Sequence, residues 1–427
     1  MLVIDTENYL LVACFFRHWL TDSSHTRIDP REKARMGPDS SLNYELSADQ
    51  QDFKTSLRAF VRQELPKDLC REMEAREEFP RDLWDILKRN NLHGVGIEEQ
   101  YGGQGGGIIE QMIVAEELAR NVGGLVWIWG TTAFAGSKAI GHFGSEEQKQ
   151  RFLPEIAAGN MLVSIAMTEP DGGTDVLNAM RTQATRTTGG WTISGTKIWS
   201  TMSHVADMLF LVARTEPRTE RASQGITLFM VDAKAPGIKA TPIPKLGMRS
   251  LGSCEVQLEN VFVPDENVIG EVGGGWRVLA ETLNSERIMV AAQCVGAMEG
   301  VLEDMVAYAQ QRHAFGKPIG QFQAVQHMIA NTKIGLETSR LLAYQAGWLQ
   351  SKGRPCGVEA TTAKVVASEN VVKAADDGIQ ILGGYGYALE YDMQRYWRDM
   401  RIYRIAPINN EMARNFIAET LGLPRSF

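Results

Sequence analysis

Between Trp276 and Arg312 the apolar residues Leu279, Leu283, Val290, Cys294, Ala297, Val301, Met305 and Tyr308 recur at the three- and four-residue steps of an amphipathic helix. One step of that stripe, between Leu283 and Val290, falls on Glu286. A carboxylate there faces an apolar interior. Burial disfavours its charge and raises its proton affinity toward that of a base working near neutral pH. The position equally suits a glutamate paired with its neighbour Arg287.

Upstream, the same period predicts further helices. Ser47 and Gln50 form a capping box ahead of Phe53, Leu57 and Phe60, and Pro66 ends that helix. A second carries Leu83, Ile86 and Leu87, and others follow over 109–120, about 133–143, and from the capped Ser145 to 158. The glycine cluster from Gly102 to Gly107 has no strand before it and reads as a loop between helices. At Met161 the period changes to two. Strands are expected over 162–167, from the Gly189–Gly190 turn through Ile193, and over 208–212, 226–231 and 256–263. After Gly273 the helical period returns, with helices at about 276–312, 322–352, 357–382 and 408–421. The fold class is therefore α+β and multidomain. An extension (1–45) precedes an α-helical N-terminal domain (46–160), a middle β-barrel or sheet (161–272) and a C-terminal four-helix bundle (273–427).

Composition removes several function classes. A net charge of −8 leaves no electrostatic footprint for nucleic acid, and no apolar run reaches the length of a membrane span. Cys14, Cys70, Cys254, Cys294 and Cys356 are scattered and never paired as CxxC, and the seven histidines lack ligand spacing. We expect no metal, no disulfide framework and a cytoplasmic location. The acidic Asp5 and Glu7 ahead of the apolar run 9–16 do not suit a targeting peptide, so residues 1–45 are expected to be a poorly ordered extension.

Four segments could carry chemistry. Thr168-Glu169-Pro170-Asp171-Gly172-Gly173-Thr174-Asp175 offers glycines and hydroxyls that suit either a ligand-binding loop or an ordinary tight turn. Gly195-Thr196-Lys197-Ile198-Trp199-Ser200-Thr201 ends in an indole and two hydroxyls, which could cover a planar cofactor or fill a core. Arg312-His313-Ala314-Phe315-Gly316-Lys317-Pro318 and Gln380-Ile381-Leu382-Gly383-Gly384-Tyr385-Gly386 each end a helix, as dipole or C-cap features or as a pyrophosphate site.

Taken in order, MTEPDGGTD, GTKIWST, NSER, QRHAFGKPIGQFQ and QILGGYGY followed by RDMRIYRI resemble the acyl-CoA dehydrogenase family of flavoproteins over about residues 47–427. The resemblance implies FAD between the middle domain and the bundle, in a homotetramer. It implies flavin contacts from Met167, Thr168, Thr174, Trp199 and Thr201, with Asn409 and Glu411 also at the cofactor. Arg312, Phe315, Gln323, Gln380, Gly383 and Gly384 would hold the adenosine-pyrophosphate part across a subunit interface. Thr174, Asn284 and Arg287 would meet the substrate, an acyl-CoA or acyl-carrier-protein thioester. A base would remove the α proton, a hydride would pass from the β carbon to flavin N5, and an electron-transferring flavoprotein would take the electrons.

The chain departs from the commonest family pattern at Pro407, which stands where many members carry the catalytic glutamate. A branch that includes isovaleryl-CoA and long-chain dehydrogenases instead carries its base on the first bundle helix, at the position of Glu286. The apolar stripe and the resemblance thus name one residue independently; Glu411 is the second candidate. Proline also lacks the backbone N–H that would bind the thioester oxygen, a loss worth about 2.7–4 kcal/mol. A neighbouring N–H or a flavin ribose hydroxyl must replace it, or the substrate is not an ordinary acyl-CoA. The last possibility makes a flavin oxidase or monooxygenase the alternative activity, with a non-catalytic scaffold protein as a third reading.

Overall fold

The structure, a computed structural model, describes residues 44–217 and 221–424, so the expected extension lies outside it up to residue 43. Helices α1 (Ala48–Glu64), α2 (Lys67–Arg76), α3 (Arg81–Arg89) and α4 (Ile108–Val122) open the chain. Then come α5 (Trp127–Thr131), a π turn over Thr132–Gly136, α6 (Ser137–Phe143) and α7 (Glu146–Ala157). Both expected capping boxes form: Ser47 with Gln50 on α1 and Ser145 with Gln148 on α7. Gly102–Gly107 is the expected loop, closed onto the turn before it by the Gly105 N–Ile97 O bond of 2.9 Å.

Strands β1 (Val163–Ala166), β2 (Gln183–Thr187), β3 (Gly190–Thr201), β4 (Met208–Arg214), β5 (Ile226–Asp232), β6 (Ile238–Pro242), β7 (Ser253–Pro264) and β8 (Val268–Ile269) form one sheet. Its order is β6-β7-β3-β2-β4-β5-β8, with β1 parallel to β4. The sheet is open, so the barrel alternative is not realised. Closure requires the two edge strands to pair. Here β6 is largely exposed and ends at Pro242, which has no N–H to donate, while β8 has only two residues. Strands β2 and β6 went unanticipated because each has only five residues, most of them exposed.

The helical part resumes with α8 (Gly275–Gln311), α9 (Gln323–Ser351), α10 (Gly357–Leu382), α11 (Met393–Met400) and α12 (Asn410–Thr420). Helix α11 also escaped the sequence reading, since Gln394, Arg395 and Asp399 are among its buried residues and blur its apolar face. Within α8 the stripe residues Leu279, Val290, Cys294, Ala297, Val301 and Met305 are buried as expected. The helix is nonetheless more enclosed than an amphipathic stripe requires, because α4, α9 and α10 all pack on it.

Two close approaches set the α8–α4 contact. A Cβ placed on Gly296 would lie 1.9 Å from Glu116 O, and one on Gly300 would lie 2.1 Å from Arg120 O. Backbone meets side-chain-free backbone there. Around this seam, Glu116 and Glu117 accept from Lys54 and Arg58, and Arg340 bridges Glu116 and Glu299. The Asp399 carboxylate joins all three parts of the chain, accepting from Gly124 N at 3.2 Å and Met248 N at 2.7 Å.

Gly296→Ala should push α8 from α4 and destabilise the protein by about 1–3 kcal/mol or more, the usual range for overpacking. The test is a lowered urea midpoint at unchanged slope; an unaltered midpoint would show that the two helices separate without cost.

Candidate active site

The loop after β1 is held from below by a buried ion pair. Lys197 on β3 donates from Nζ to Glu169 Oε1 at 2.8 Å and to Met167 O at 3.0 Å. Glu169 also accepts from Arg181 N at 2.6 Å and Thr182 N at 2.9 Å, while Ile198 N donates to Thr168 O at 2.8 Å. Burial favours the neutral forms, yet this pairing and the backbone donors keep Glu169 below its ordinary pKa. Gly173, at φ +48, takes the left-handed turn that lifts Thr174 to the surface.

Strand β3 loses register with β7 between Lys197 and Ser200. This bulge gives Trp199 a φ of +60 and leaves its indole 56% exposed, while Ser200 is buried. A large aromatic face is thereby turned out of the sheet beside the hydroxyl of Thr201, which is partly buried. The carbonyl of Thr201 accepts from Ser164 Oγ at 2.7 Å.

On the bundle side, Glu286 lies at the start of the enclosed part of α8. It keeps a partial opening to solvent, but protein surrounds the carboxylate and burial dominates its titration. Its pKa is pushed up to about 7, against the opposing pull of Arg287 and Lys364. Arg287 donates to Asn284 Oδ1 at 3.1 Å and lies over the Phe416 ring at 5.8 Å. Its buried Nε has no protein partner among the described residues, and neither does the Ser200 hydroxyl. The turn that carries Glu286 is anchored from behind by Ser285, whose Oγ accepts from Lys138 on α6 and from Gln350 on α9.

The two sides meet at α12. Asn409 caps that helix by accepting from Met412 N at 2.7 Å, and its Nδ2 donates to Thr174 Oγ1 at 2.8 Å. Glu411 is exposed in the first turn, within electrostatic reach of Lys364. Pro407 is partly buried just before the cap.

A second cluster sits at the opposite end of α8. Arg312 and Tyr308 line a cleft of about 480 Å³ with Gly383, Gly384 and Tyr385. Added side chains at Gly383 and Gly384 would meet nothing within 4 Å, so backbone is presented to open space. Phe315 is 96% exposed, and Gln323 and Gln380 are exposed too. Arg312 follows Glu286 by 26 residues along one helical path. At the α-helical rise that is about 39 Å, more than one dinucleotide can span. The structure therefore bonds Thr174 to Asn409 and Asn284 to Arg287, next to Glu286 in the chain, and gathers Arg312, Gly383 and Gly384 around a separate cleft.

Family models for the acyl-CoA dehydrogenase N-terminal, middle and C-terminal domains match residues 47–160, 164–261 and 273–422. The chain belongs to the acyl-CoA dehydrogenase family. It is 34% identical to the mitochondrial 2-methylacyl-CoA dehydrogenase of Solanum tuberosum, over 87% of this chain and 90% of that protein. Among solved structures it resembles the butyryl-CoA dehydrogenase of Megasphaera elsdenii (33% identity, TM-score 0.85, 90% of this chain and 100% of that one). Similar likeness extends to the prolyl acyl carrier protein oxidase AnaB (30%, TM-score 0.84, 89% and 100%). The FAD complex of PigA is also close in fold (28%, TM-score 0.84, 90% and 100%).

Two supports of this acyl-CoA dehydrogenase site escaped the sequence reading: the Lys197–Glu169 pair and Lys364. The former lay inside both quoted motifs, where a lysine and a glutamate at the feet of adjacent loops hint at a pair. Lys364 carried no signal beyond being a lysine on the apolar side of a helix.

Because Glu286 titrates near 7 rather than its ordinary 4.5, the folded state binds this proton more tightly than the unfolded chain. The contribution to stability is whole below the unfolded pKa and is lost as pH rises through 7. The loss is at most about 3 kcal/mol. Wild type should therefore lose more stability than Glu286→Gln between about pH 5 and about pH 8 in urea titrations. Parallel losses would mean that Glu286 is not desolvated.

Proposed function

We propose that this chain is an FAD-dependent acyl-CoA dehydrogenase that desaturates the α,β bond of an acyl thioester, with Glu286 as its base. The observation that carries the reading is a carboxylate on α8 brought up to about 7, at a site where position 407 offers no side-chain base. The thioester carbonyl acidifies the α C–H, and a Glu286 carboxylate takes that proton while the β carbon gives up a hydride. FAD, when bound, supplies the acceptor for that electron pair. The residues present fit such a group. Trp199 offers an exposed face for a planar ring, the Met167 and Thr168 carbonyls are bonded to Lys197 and Ile198 just before it, and Thr174 is tied to Asn409. Arg287 and Asn284 face the substrate, with an unpaired guanidinium N–H available to it.

Arg312, Phe315, Gln323, Gln380, Gly383 and Gly384 would hold the adenosine-pyrophosphate part of a flavin seated in a neighbouring subunit. The distance of Arg312 from Glu286 along α8 supports a subunit interface there, and the family resemblance makes the assembly a homotetramer in this reading. Three domains (46–160, 161–272 and 273–427), an electron-transferring flavoprotein as acceptor and a cytoplasmic location complete the reading. The described helices include none long and apolar enough to cross a membrane. The acyl carrier is CoA or a carrier protein.

Pro407 favours a second reading, a flavin oxidase or monooxygenase on the same fold acting on a substrate other than an acyl-CoA thioester. Oxygen uptake by the reduced enzyme, set against electron transfer to an electron-transferring flavoprotein, separates the two.

Glu286→Gln should keep its flavin and lower the anaerobic bleaching rate by about 10²–10⁴, the usual contribution of a general base. A panel of acyl-CoAs supplies the substrate, and bleaching at near wild-type rate in the variant would remove Glu286 from the mechanism. In wild type the rate should rise with pH through about 7, as the carboxylate loses its proton.

A further inference from the structure

Lys364 lies midway along α10 with no exposed surface. A lysine so placed ordinarily answers a carboxylate, because an isolated buried ammonium is expensive. This one does not. Its Nζ donates to Ile408 O at 2.5 Å and to Asn410 Oδ1 at 2.8 Å, both neutral acceptors. Asn410 is itself fixed, donating to Ser368 Oγ at 3.1 Å and to Glu369 Oε1 at 3.2 Å.

The backbone held in this way is the stretch directly after Pro407. Between the two anchored residues stands Asn409, whose amide reaches across to Thr174 on the middle sheet. The ammonium therefore grips the segment on which the two sides of the site meet. It is also the cation on α10 that acts on Glu286, as Arg287 does from α8. The other groups acting on Lys364 are the Cys294 thiol and the Arg287 guanidinium on α8, Glu411 on α12 and Glu369 on its own helix. Neither acid bonds to it: Glu369 instead takes Arg414 at 2.7 Å, and Glu411 is exposed.

A neutral glutamine could have bonded Ile408 O at lower desolvation cost, so the clamp alone does not account for a charge here. We propose that Lys364 is a positioning residue of the active site, clamping Ile408–Asn410 and supplying the positive charge that holds Glu286 in its proton-accepting form. The inference rests on Glu286 being the base. Burial brings the Lys364 ammonium itself down to about 8, so the support it lends weakens above that pH.

The test uses full-length, flavin-loaded protein in four forms: wild type, Glu286→Gln, Lys364→Gln and Lys364→Met. The glutamine variant keeps a donor for Ile408 O without the charge; the methionine variant loses both, and flavin absorbance reports whether each is folded. Infrared difference titration follows the Glu286 carboxyl, assigned by its loss in Glu286→Gln. Its midpoint should rise by about one pH unit in both Lys364 variants, a tenfold gain in proton affinity. The acid limb of flavin bleaching by acyl-CoA should move with it, and KM should rise further in Lys364→Met than in Lys364→Gln. An unshifted Glu286 midpoint in folded Lys364→Gln would overturn the proposal. A shifted midpoint in a protein that no acyl-CoA bleaches would uphold the role of Lys364 and overturn the proposed reaction instead.

Discussion

The constraint on which the rest depends is the backbone contact between α8 and α4. With Gly296 and Gly300 pressed onto the carbonyls of Glu116 and Arg120, α8 has one axial position and one rotation open to it. Everything else on that rod is then placed by helical geometry. Glu286, ten residues before Gly296, comes within electrostatic reach of Lys364 on α10. The same rod carries Arg312 to its far end. A change of register at the glycine seam would move Glu286 and the distal arginine together.

The proposed site is a junction rather than a pocket of one domain. To it the middle sheet would contribute the Thr168–Asp175 loop and Trp199, and the bundle Glu286, Arg287 and the cap of α12. They are joined through Thr174, Asn409 and the Lys364 clamp. Asp399 performs a similar task at a distance, binding backbone N–H groups of the N-terminal and middle parts from α11. Lys364, Asn410 and Asp399 are buried with partners already in place, so this part of the geometry is set before any ligand arrives. Charge follows the same logic. Glu286 sits between a desolvation that raises its proton affinity and two cations that lower it, and the balance falls near neutral pH.

Length has its own consequence. A helix of 37 residues sets the cleft at Arg312 and the exposed Phe315 far from the Glu286 of the same protomer. Exposed apolar residues on α9, Ile334 and Leu341 among them, lie on the flank of the same bundle. An assembly that brings the far end of one α8 to the flavin face of another subunit would use both features.

The sequence by itself determined the elements whose signal is local. The capping boxes at Ser47 and Ser145, the three-four stripe of α8 and the order α, β, α are set by neighbours a few residues apart, and they are read from the string. The stripe even singled out Glu286, because a carboxylate interrupts a helical period visibly. Strands β2 and β6 were missed because each has only five residues, most of them exposed, and helix α11 because buried polar and charged residues blur its apolar face. What only the tertiary structure decided are the contacts between residues far apart in the chain. The open sheet follows from edge strands that cannot pair, the outward turn of Trp199 from a bulge against β7, and the grip of Lys364 on Ile408 from two helices meeting. Local spacing names a carboxylate that ought to be out of place. Its proton affinity belongs to the surroundings, which desolvation and two cations supply only once the chain has folded.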